Sequence, residues 1–513
     1  MDYNIAEERY MSNYIRKIGF FLLIAVFLNL TGCGLVVINY DKLGIDRETT
    51  AATTEIPETV GIVTEVTEEI TSIVTTEVTE ETYIVTTEEK YADIIEDDLA
   101  QTPEKDYGNV QFKITTPDKS ALAPENDIEF VSEALFERNK LVGEKHSVSI
   151  IVSSVEYEVY FEEVSTAVKA GTYHSDLLML PQKMVGSFAT SGLLTNMRSI
   201  PGLDLGAEYF NQSSVEAAAG GVYSYALAGH ASLQPYTLPA VFFNKNIASE
   251  LGVDPYALVS SGEWTWEKFF EISSSAASMD GVYSWASSDV GDELYDIVFA
   301  STGLKMVNSG LLKTPSLGFD GETTAGVSEL LAKLSTDTNA LGHSEGSLDS
   351  FKDGKGIFLM NKLATIPSLS DCKAQNGILP IPKNSNDDSY ATLASPDSLM
   401  FACPAGLTTP DKSAVILMSL NAASANVVKD SYIKYLQYNY LRDNDSANML
   451  DQIFESIVYD FSYTFGNIYP EIADATYTTI RESVLPENTI EGLLTYRVAP
   501  ALRIFEGKFK APD

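Results

Sequence analysis

Short apolar runs alternate with amphipathic segments along the chain after residue 107. Val110–Thr116, Ser147–Ser153 and Leu177–Leu180 are predicted strands, because each is a short apolar run bounded by polar residues or proline. Between them, apolar residues at helical spacing predict helices around 127–138 and 161–168. Strands that alternate with helices favour parallel pairing through right-handed crossovers. The pattern therefore predicts an α/β fold.

The same alternation continues further along the chain. Ala240–Phe243, Gly356–Met360 and Gly377–Pro382 are predicted strands, and Thr265 is placed to cap a helix. From Lys412 onwards the pattern is mostly helical. A single sheet does not easily accommodate all of these elements, so we expect two α/β lobes. The hydrophobic content of 45% is enough to fill their cores.

The N-terminal segment carries an export pattern. A basic pair at 16–17 precedes an apolar run, 18–30, in which Asn29 is the one polar residue, and which ends in Leu30-Thr31-Gly32-Cys33. This resembles a bacterial lipoprotein signal, in which the cysteine is lipidated and becomes the mature N-terminus. Residues 1–33 are therefore predicted to be a signal peptide, and Cys33 a lipid anchor on the extracellular face of the cytoplasmic membrane of a Gram-positive-type bacterium. An ordinary cleaved signal and a buried helix are the alternatives.

Residues 34–107 are predicted to form a disordered linker. Thr and Glu dominate 49–89, where Ile-Val-Thr recurs at 62, 73 and 84. Too little apolar surface is available there to offset the entropy of ordering, and like charges repel. Stacked strands, favoured by the Val, Ile and Thr content, are the alternative.

Charge and cysteine content exclude several classes of protein. The formal net charge of −38 repels phosphate backbones, so nucleic acid is not an expected partner. With Cys33 assigned to the lipid, Cys372 and Cys403 remain as a possible disulfide or as two thiols. Neither a zinc-ligand spacing nor a phosphate-binding loop motif occurs, and we expect no metal or other cofactor.

Several short segments together carry a family resemblance. Gly262-Glu263-Trp264-Thr265-Trp266 and Phe242-Phe243-Asn244-Lys245 are two of them. The full set lies at 168–171, 175–178, 191–194, 242–245, 251–253, 262–269, 351–358, 377–383 and 442–450. In their order and spacing the chain resembles the family 1 extracellular solute-binding proteins, the sugar-type substrate-binding lipoproteins of ABC importers.

The resemblance implies a two-lobed, periplasmic-binding-protein-like (type II) fold with a multi-strand hinge, spanning residues 108–513. Lobe 1 would take 108–235 and 383–440, and lobe 2 would take 236–382 and 441–513. A monomer would capture a small ligand, a sugar or oligosaccharide, as the lobes close, and would deliver it to the transmembrane subunits of an ABC permease. A surface binding or sensory module without a permease, and a receptor for a non-sugar solute, are the alternatives.

Candidate ligand contacts come from loops expected to follow strands. Sugar sites combine aromatic faces with planar polar groups, because unpaired buried hydroxyls are costly. The candidates are Asp118, Tyr157, Gln182, Tyr236, Trp285, Asp289, Asn361 and Tyr463. For Trp285, core packing is the alternative, and it is the expected role of Trp264 and Trp266. Sugar-binding relatives often place Trp and acidic residues after the third strand, whereas this chain has Gln182-Lys183 there, which leaves a non-sugar ligand open.

An enzymatic role is not expected. Gly342-His343-Ser344-Glu345-Gly346 matches the G-x-S-x-G pattern of a hydrolase, but that motif requires an apolar strand before the serine and a helix directly after it. Here the mainly polar stretches Thr336-Asp337-Thr338-Asn339 and Ser347-Leu348-Asp349-Ser350 lie before and after it. The four histidines show no metal-ligand spacing. The sequence therefore predicts a binding protein rather than a catalyst.

Overall fold

Two mixed sheets with helices on their faces organise the chain in the computed structural model. It describes residues 91–123, 129–172, 175–288, 290–321, 325–342, 346–441, 443–485 and 487–511. Cys33, Asp289 and Ser344 lie outside the described residues. The strands are β1 (Val110–Thr116), β2 (Val148–Ser154), β3 (Leu177–Pro181), β4 (Ala219–Gly220), β5 (Tyr223–Ser224), β6 (Ala226–Leu227), β7 (Pro239–Asn244), β8 (Tyr283–Ser287), β9 (Val307–Asn308), β10 (Ser316–Leu317), β11 (Gly356–Lys362), β12 (Asn376–Leu379), β13 (Thr392–Leu393), β14 (Leu399–Ala402) and β15 (Ile457–Val458).

From Pro410 onwards the described chain is mostly helical, as the pattern after Lys412 predicts. The helices are α1 (Tyr91–Leu99), α2 (Glu129–His146), α3 (Tyr157–Lys169), α4 (Gln182–Thr190), α5 (Gln212–Ala217), α6 (Lys245–Glu250), α7 (Pro255–Ser260), α8 (Trp266–Ala277), α9 (Glu293–Ser301), α10 (Ala325–Ser335), α11 (Ser347–Lys352), α12 (Pro410–Ala422), α13 (Val428–Asn439), α14 (Asn444–Glu455), α15 (Phe461–Phe465), α16 (Pro470–Ala473), α17 (Thr479–Glu482) and α18 (Ile490–Lys508). Short 3-10 segments lie at Met197–Ser199, His230–Ser232, Pro235–Thr237 and Leu363–Leu369, and a π-helical turn at Asp474–Thr478 joins α16 to α17. Among the helices in the described ranges, none combines the length and apolar character that a membrane span requires.

The first sheet has the order β2-β1-β3-β14-β6 and forms lobe 1. β1 pairs in parallel with β2 and with β3, which confirms the predicted parallel pairing. β14 is antiparallel to both β3 and β6, although it follows the second sheet in the chain. Helices cover both faces of the sheet, which is why its strands are apolar on both sides.

The second sheet has the order β12-β7-β11-β8 and forms lobe 2. β7 is antiparallel to both of its neighbours, whereas β8 and β11 run parallel. Trp264 and Trp266 are buried in the core of this lobe, as expected, and each indole N–H is satisfied: Trp264 donates to Pro380 O at 2.8 Å and Trp266 to Ser301 Oγ at 2.9 Å. Thr265 accepts a hydrogen bond from Lys268 N at 3.4 Å and caps α8, which confirms the predicted cap.

The chain passes between the lobes at several places. It leaves β6 for β7 through the turn Pro235–Thr237, and it returns from β12 to β14 along 380–398. On that return path β13 pairs in parallel with β15, which follows α14. These crossings form a multi-strand hinge, and the two-lobed α/β architecture is confirmed.

A buried helix lies within the predicted linker. Ile95 and Leu99 of α1 are fully buried or nearly so against the core of lobe 1. Lys145 Nζ of α2 donates to Thr102 O at 3.0 Å and fixes the segment after α1. The packed helix Tyr91–Leu99 therefore lies inside the range 34–107 that composition marks as a linker.

The two cysteines of the described region are free thiols. Cys403 is completely buried in lobe 1, where burial raises the pKa of its thiol to about 12. Cys372 is half-buried in lobe 2, and burial raises its pKa as well. Of the two possibilities that the sequence leaves open, the structure has the unpaired thiols.

Asp443 caps α14 and fastens it to lobe 2. Its carboxylate accepts hydrogen bonds from Ser446 N at 2.8 Å and Tyr256 Oη at 3.1 Å. Lys245 Nζ of α6 donates to the same carboxylate at 2.7 Å. The Asp443 side chain thus both caps α14 and forms an ion pair with Lys245, and the two side chains of that pair are only about one-fifth exposed.

Replacing Asp443 should separate these two contributions. We expect Asp443→Ala to lower the free energy of unfolding by about 2 kcal/mol, because it removes a helix cap and a partly buried ion pair together. Asp443→Asn keeps an oxygen for the cap and removes the charge, so its loss should be about 1 kcal/mol. Urea denaturation followed by circular dichroism measures both, and equal losses would contradict a separate contribution from the cap.

His146 gives lobe 1 a pH dependence. It is fully buried, with Nε2 2.8 Å from Ser419 Oγ and Nδ1 3.0 Å from the carbonyl oxygen of Lys105. Burial lowers the pKa of this imidazole below its ordinary value. The fold therefore favours neutral His146, whose contribution is complete above the unfolded pKa of about 6.5 and is lost as the pH falls through the lowered pKa of the folded state.

The variant His146→Gln cannot be protonated and should lack this contribution. We expect the denaturation midpoint of the wild-type protein to fall more steeply than that of His146→Gln between about pH 7 and about pH 5. Urea titrations at several pH values measure both slopes. Parallel slopes would show that His146 is not a source of the acid sensitivity.

Candidate functional site

The carboxyl ends of the parallel strands of both lobes face the hinge. In lobe 1, β1 and β3 end at Thr116 and Pro181, and in lobe 2, β8 ends at Ser287. Ligands of open α/β sheets bind outside the carboxyl ends of the strands. A cavity of about 440 Å³ lies there, within the size range of small-molecule sites.

This interlobe cavity takes its lining from both lobes, the hinge and the C-terminal helices. Its residues are Lys183, Val290, Gly291, Asp292, Glu293, Pro396, Ser462, Tyr463, Asn467, Tyr477 and Arg481. Because its walls belong to both lobes, its shape depends on the angle between them. The cavity is therefore a candidate site for a ligand that the lobes enclose.

Lys183 holds the lobe 1 wall together. Its Nζ lies 2.7 Å from Asp397 Oδ1 and 5.2 Å from the centre of the Tyr157 ring. The Tyr157 hydroxyl donates to the same Asp397 oxygen at 3.3 Å. Burial is the largest single effect and disfavours the charged ammonium, but the hydrogen bonds and charge interactions with Asp397 and Tyr157 together outweigh it, so the pKa of Lys183 is raised. This wall presents an aromatic ring, an ammonium group and a carboxylate side by side.

A buried carboxylate organises the opposite wall. Asp296 of α9 is completely buried and accepts hydrogen bonds from Tyr463 Oη at 2.7 Å and from Arg481 Nε at 3.1 and 3.2 Å, with Arg481 Nη2 as a further partner. Burial raises the pKa of Asp296 to about 6 even against the opposing effect of Arg481, so the ion pair is intact at neutral pH. The Arg481 guanidinium lies 5.0 Å from the centre of the Tyr477 ring. Asp296 thereby fixes a stacked guanidinium and phenol at the cavity.

Gln182 joins lobe 1 to α15 at the edge of the cavity. It is the first residue of α4 and fully buried, and its Nε2 donates to Asp460 O at 2.7 Å and Thr464 Oγ1 at 3.2 Å. Its Oε1 has no hydrogen-bond partner among the described residues. Gly186 permits this close contact, since a Cβ there would lie 2.6 Å from Thr464 O. Gln182 is therefore a joint between elements as well as a candidate ligand contact.

Asp118 and Tyr236 lie away from the interlobe cavity. Asp118 is exposed after β1, where it accepts hydrogen bonds from Ser120 N at 2.8 Å and Gln234 Nε2 at 3.3 Å. Tyr236 lies in the hinge turn, and its ring packs edge-on against Tyr432 at 6.2 Å. Of the predicted residues, Tyr463 lines the cavity, Tyr157 and Gln182 lie next to its lining residue Lys183, and Asp118 and Tyr236 lie beside the hinge turn.

Trp285 and Asn361 lie inside strands rather than in the loops where the sequence pattern put them. Trp285 is the third residue of β8, is 4% exposed and belongs to the core of lobe 2, as its packing alternative predicted. Asn361 is fully buried near the end of β11, opposite Ala240 of β7. The predicted strand Gly356–Met360 stops one residue before Asn361, because a buried Asn resembles a loop residue in the sequence; the buried Ser residues of β8 have the same effect around Trp285.

Most of the cavity lining was not among the predicted residues, including Lys183, Tyr477 and Arg481. The sequence did contain a signal for Tyr477 and Arg481, because residues at positions i and i+4 of a helix lie on the same face and can contact each other. Lys183 follows the third strand directly after Gln182. Asp296 pairs with Arg481 and Asp397 pairs with Lys183, and each pair is too far apart in the chain for a local sequence pattern to predict it.

A second cavity of about 430 Å³ borders the hinge without sharing a lining residue with the first. Its polar side chains are largely engaged within the fold. Gln234 donates to Asp118 and accepts from Leu399 N at 2.9 Å, and Lys429 pairs with Asp451 at 2.6 Å and Glu455 at 3.1 Å. The interlobe cavity, which lies beyond the carboxyl ends of β3 and β8, is the stronger candidate.

Comparison with known proteins places the fold. No protein-family model matches the sequence, and no curated protein matches it. The cyclic α-maltosyl-1,6-maltose binding protein of Arthrobacter globiformis is 13% identical, with 78% of this chain and 100% of that chain covered and a TM-score of 0.54. A family 1 extracellular solute-binding protein of Bifidobacterium longum subsp. infantis is 14% identical, with 77% and 99% covered and a TM-score of 0.51.

A third solved structure, a cyclo/maltodextrin-binding protein in complex with maltotetraose, is 14% identical, with 78% of this chain and 98% of that chain covered and a TM-score of 0.51. At these identities the likeness concerns the fold. It extends over nearly the whole length of each neighbour, so both lobes and the hinge are included. The chain has the two-lobed fold of the family 1 extracellular solute-binding proteins, which confirms the resemblance seen in the sequence.

Proposed function

We propose that the protein is a lipid-anchored extracellular solute-binding protein, which captures a sugar or oligosaccharide in the interlobe cavity and delivers it to an ABC importer. The observation that carries the proposal is the cavity itself, whose walls come from both lobes and combine tyrosine rings with planar charged groups. Such a combination suits a sugar, which has apolar ring faces and a rim of hydroxyls. The protein acts by binding rather than by catalysis.

Solved neighbours support the ligand class. Two of the structures that share the fold are named for binding a cyclic maltosyl-maltose and a maltodextrin. In this chain Tyr477 and Tyr157 would stack against sugar rings, and Lys183, Arg481, Asp292 and Glu293 would bond to hydroxyls. Asp296 and Tyr463 would act as positioning residues, because they fix Arg481.

The hinge supports capture by closure. Rotation about the crossing segments would bring Lys183 of lobe 1 towards Asp292 and Glu293 of lobe 2, and each lobe supplies only part of the hydrogen bonds that a ligand needs. A bound ligand therefore favours the closed form by its differential affinity. The closed form is the one that a permease would recognise at the membrane, to which Cys33 would hold the protein.

Ligand binding should depend on the Tyr477 ring. In a thermal-shift screen with mono- and oligosaccharides, amino acids and peptides, we expect a saccharide to raise the melting temperature by mass action. Calorimetry with that saccharide should show binding about 10- to 100-fold weaker for Tyr477→Ala, equivalent to about 1–3 kcal/mol, and near wild-type binding for Tyr477→Phe.

The matched control is Tyr496→Ala, because Tyr496 is 83% exposed on α18 and away from the cavity lining. It should bind as the wild-type protein does. Undiminished binding by Tyr477→Ala would place the ligand elsewhere. A shift with an amino acid or peptide but with no saccharide would keep the fold and overturn the ligand class.

Membrane attachment should depend on Cys33. When the full chain is produced in a Gram-positive host, we expect the wild-type protein in the membrane fraction and Cys33→Ala in the medium or the soluble fraction, because only the lipidated cysteine provides acyl chains. Cys372→Ala is the matched control and should remain with the membrane. Equal partitioning of wild-type and Cys33→Ala protein would contradict the lipid anchor.

A further inference from the structure

The lobes are joined at a place remote in sequence from the hinge. After α9 the chain forms a hairpin, β9 and β10, whose base is anchored in lobe 2 through the buried residues Met306 and Phe319. The hairpin turn reaches lobe 1. Leu312 N donates to Gly221 O at 2.7 Å, and Gly221 N donates to Lys313 O at 2.9 Å.

Side chains extend this contact. Ser309 Oγ donates to the carbonyl oxygen of Glu216 in α5 at 2.7 Å, and Lys305 Nζ lies 2.6 Å from the Glu216 carboxylate. Leu312 has a φ of 61°, in the left-handed region that non-glycine residues rarely adopt. Such a conformation persists only where the surroundings hold it, so this turn is shaped by its contact with lobe 1.

The C-terminal end of the chain closes the same contact. Phe509 is 5% exposed, and its ring lies 5.1 Å from that of Phe461 and 4.9 Å from that of Phe465. Ala511 N donates to Thr314 Oγ1 of the hairpin at 2.9 Å. The C-terminal residues therefore pack beside the hairpin and against the first helix after the hinge.

Two glycines of lobe 1 admit this end. A Cβ at Gly220 would lie 2.6 Å from Phe509 Cδ1, and a Cβ at Gly221 would lie 2.6 Å from Lys510 O. Gly221 also has a φ of 57°, which a side chain would disfavour. The turn between β4 and β5 is thus fitted to the C-terminal residues, and we call residues 305–317 with Phe509–Ala511 the strap.

We propose that the strap holds the two lobes together before a ligand arrives. Opening the cleft by rotation about the hinge would have to break the backbone hydrogen bonds at Gly221 and withdraw Phe509 from lobe 1. The strap therefore raises the closed population of the free protein and limits how often the cavity opens. Its effect on ligand exchange rests on the proposed function, whereas its effect on lobe separation does not.

Small-angle X-ray scattering of the ligand-free protein tests the strap directly. We expect a larger radius of gyration for Phe509→Ala and for a chain that ends at Lys508, because both lose the C-terminal wedge. Leu502→Ala, at a 39% exposed position of the same helix α18, is the control and should scatter as the wild-type protein does. Folded Phe509→Ala protein with an unchanged radius of gyration would overturn the proposal.

Exchanging the charges of the Lys305–Glu216 ion pair provides a second test of the strap, which still applies if the C-terminal variants fail to fold. Lys305→Glu places two carboxylates together at an exposed contact, and we expect it to expand the protein. The double variant Lys305→Glu with Glu216→Lys restores the pair and should return the radius to the wild-type value. No expansion in the single variant, or no recovery in the double variant, would count against the strap.

Stopped-flow binding connects the strap to the cavity. If the open population rises from about 10% to about 80%, a change large enough to expand the scattering profile, the association rate constant of a saccharide should rise about eightfold. An expanded free protein with unchanged rates would show that entry does not require opening at the strap. Absence of any ligand would contradict the proposed function and leave the scattering result standing.

Discussion

The position of β14 is the constraint on which the rest of the molecule depends. This strand lies between β3 and β6 in the first sheet, yet the chain builds the whole second sheet before it reaches Leu399. Lobe 1 therefore cannot be completed until the chain has passed through lobe 2 and returned. The return path places Pro396 and Asp397 directly before β14, at the edge where both sheets face the hinge. The cavity and the hinge therefore both result from the pairing of β14 with strands far away in the sequence. Such long-range pairing favours slow folding.

The buried carboxylate of Asp296 links the packing of the C-terminal helices to the geometry of the cavity wall. Asp296 has no exposed surface, and a carboxylate in that position is tolerated only with partners that satisfy it. Arg481 and Tyr463 supply them from the C-terminal helices, so the same contacts that dock those helices on α9 also orient a guanidinium towards the cavity. Loss of Arg481 would leave an unpaired buried carboxylate, so the stability of this junction and the geometry of the cavity wall are not separable.

Much of the fold could be predicted because its signals are local. Apolar runs such as Val110–Thr116 gave the parallel strands, and Thr265 gave a helix start, since each depends on a few neighbouring residues. The site depends instead on pairs such as Tyr157 with Asp397 and Asp296 with Arg481, which are 240 and 185 positions apart. No periodicity connects such positions. Trp285 was placed wrongly for a local reason. Its strand contains buried polar residues, and such a strand resembles a loop in the sequence as long as the strands beside it are unknown.

Tryptophan and tyrosine residues occupy different environments in this protein, the tryptophans in the core and several tyrosines at the candidate site. The three tryptophans are at most 4% exposed and pack within lobe 2, where their large rings fill volume and two indole N–H groups find acceptors. The rings at or beside the cavity belong to tyrosines, and the hydroxyls of Tyr157 and Tyr463 donate to Asp397 and Asp296. A tyrosine ring offers less stacking area than an indole, so a ligand of this cavity must gain more of its affinity from the charged rim. The charged groups fixed by Asp296 and Asp397 are therefore the determinants of specificity to be expected in a site without tryptophan.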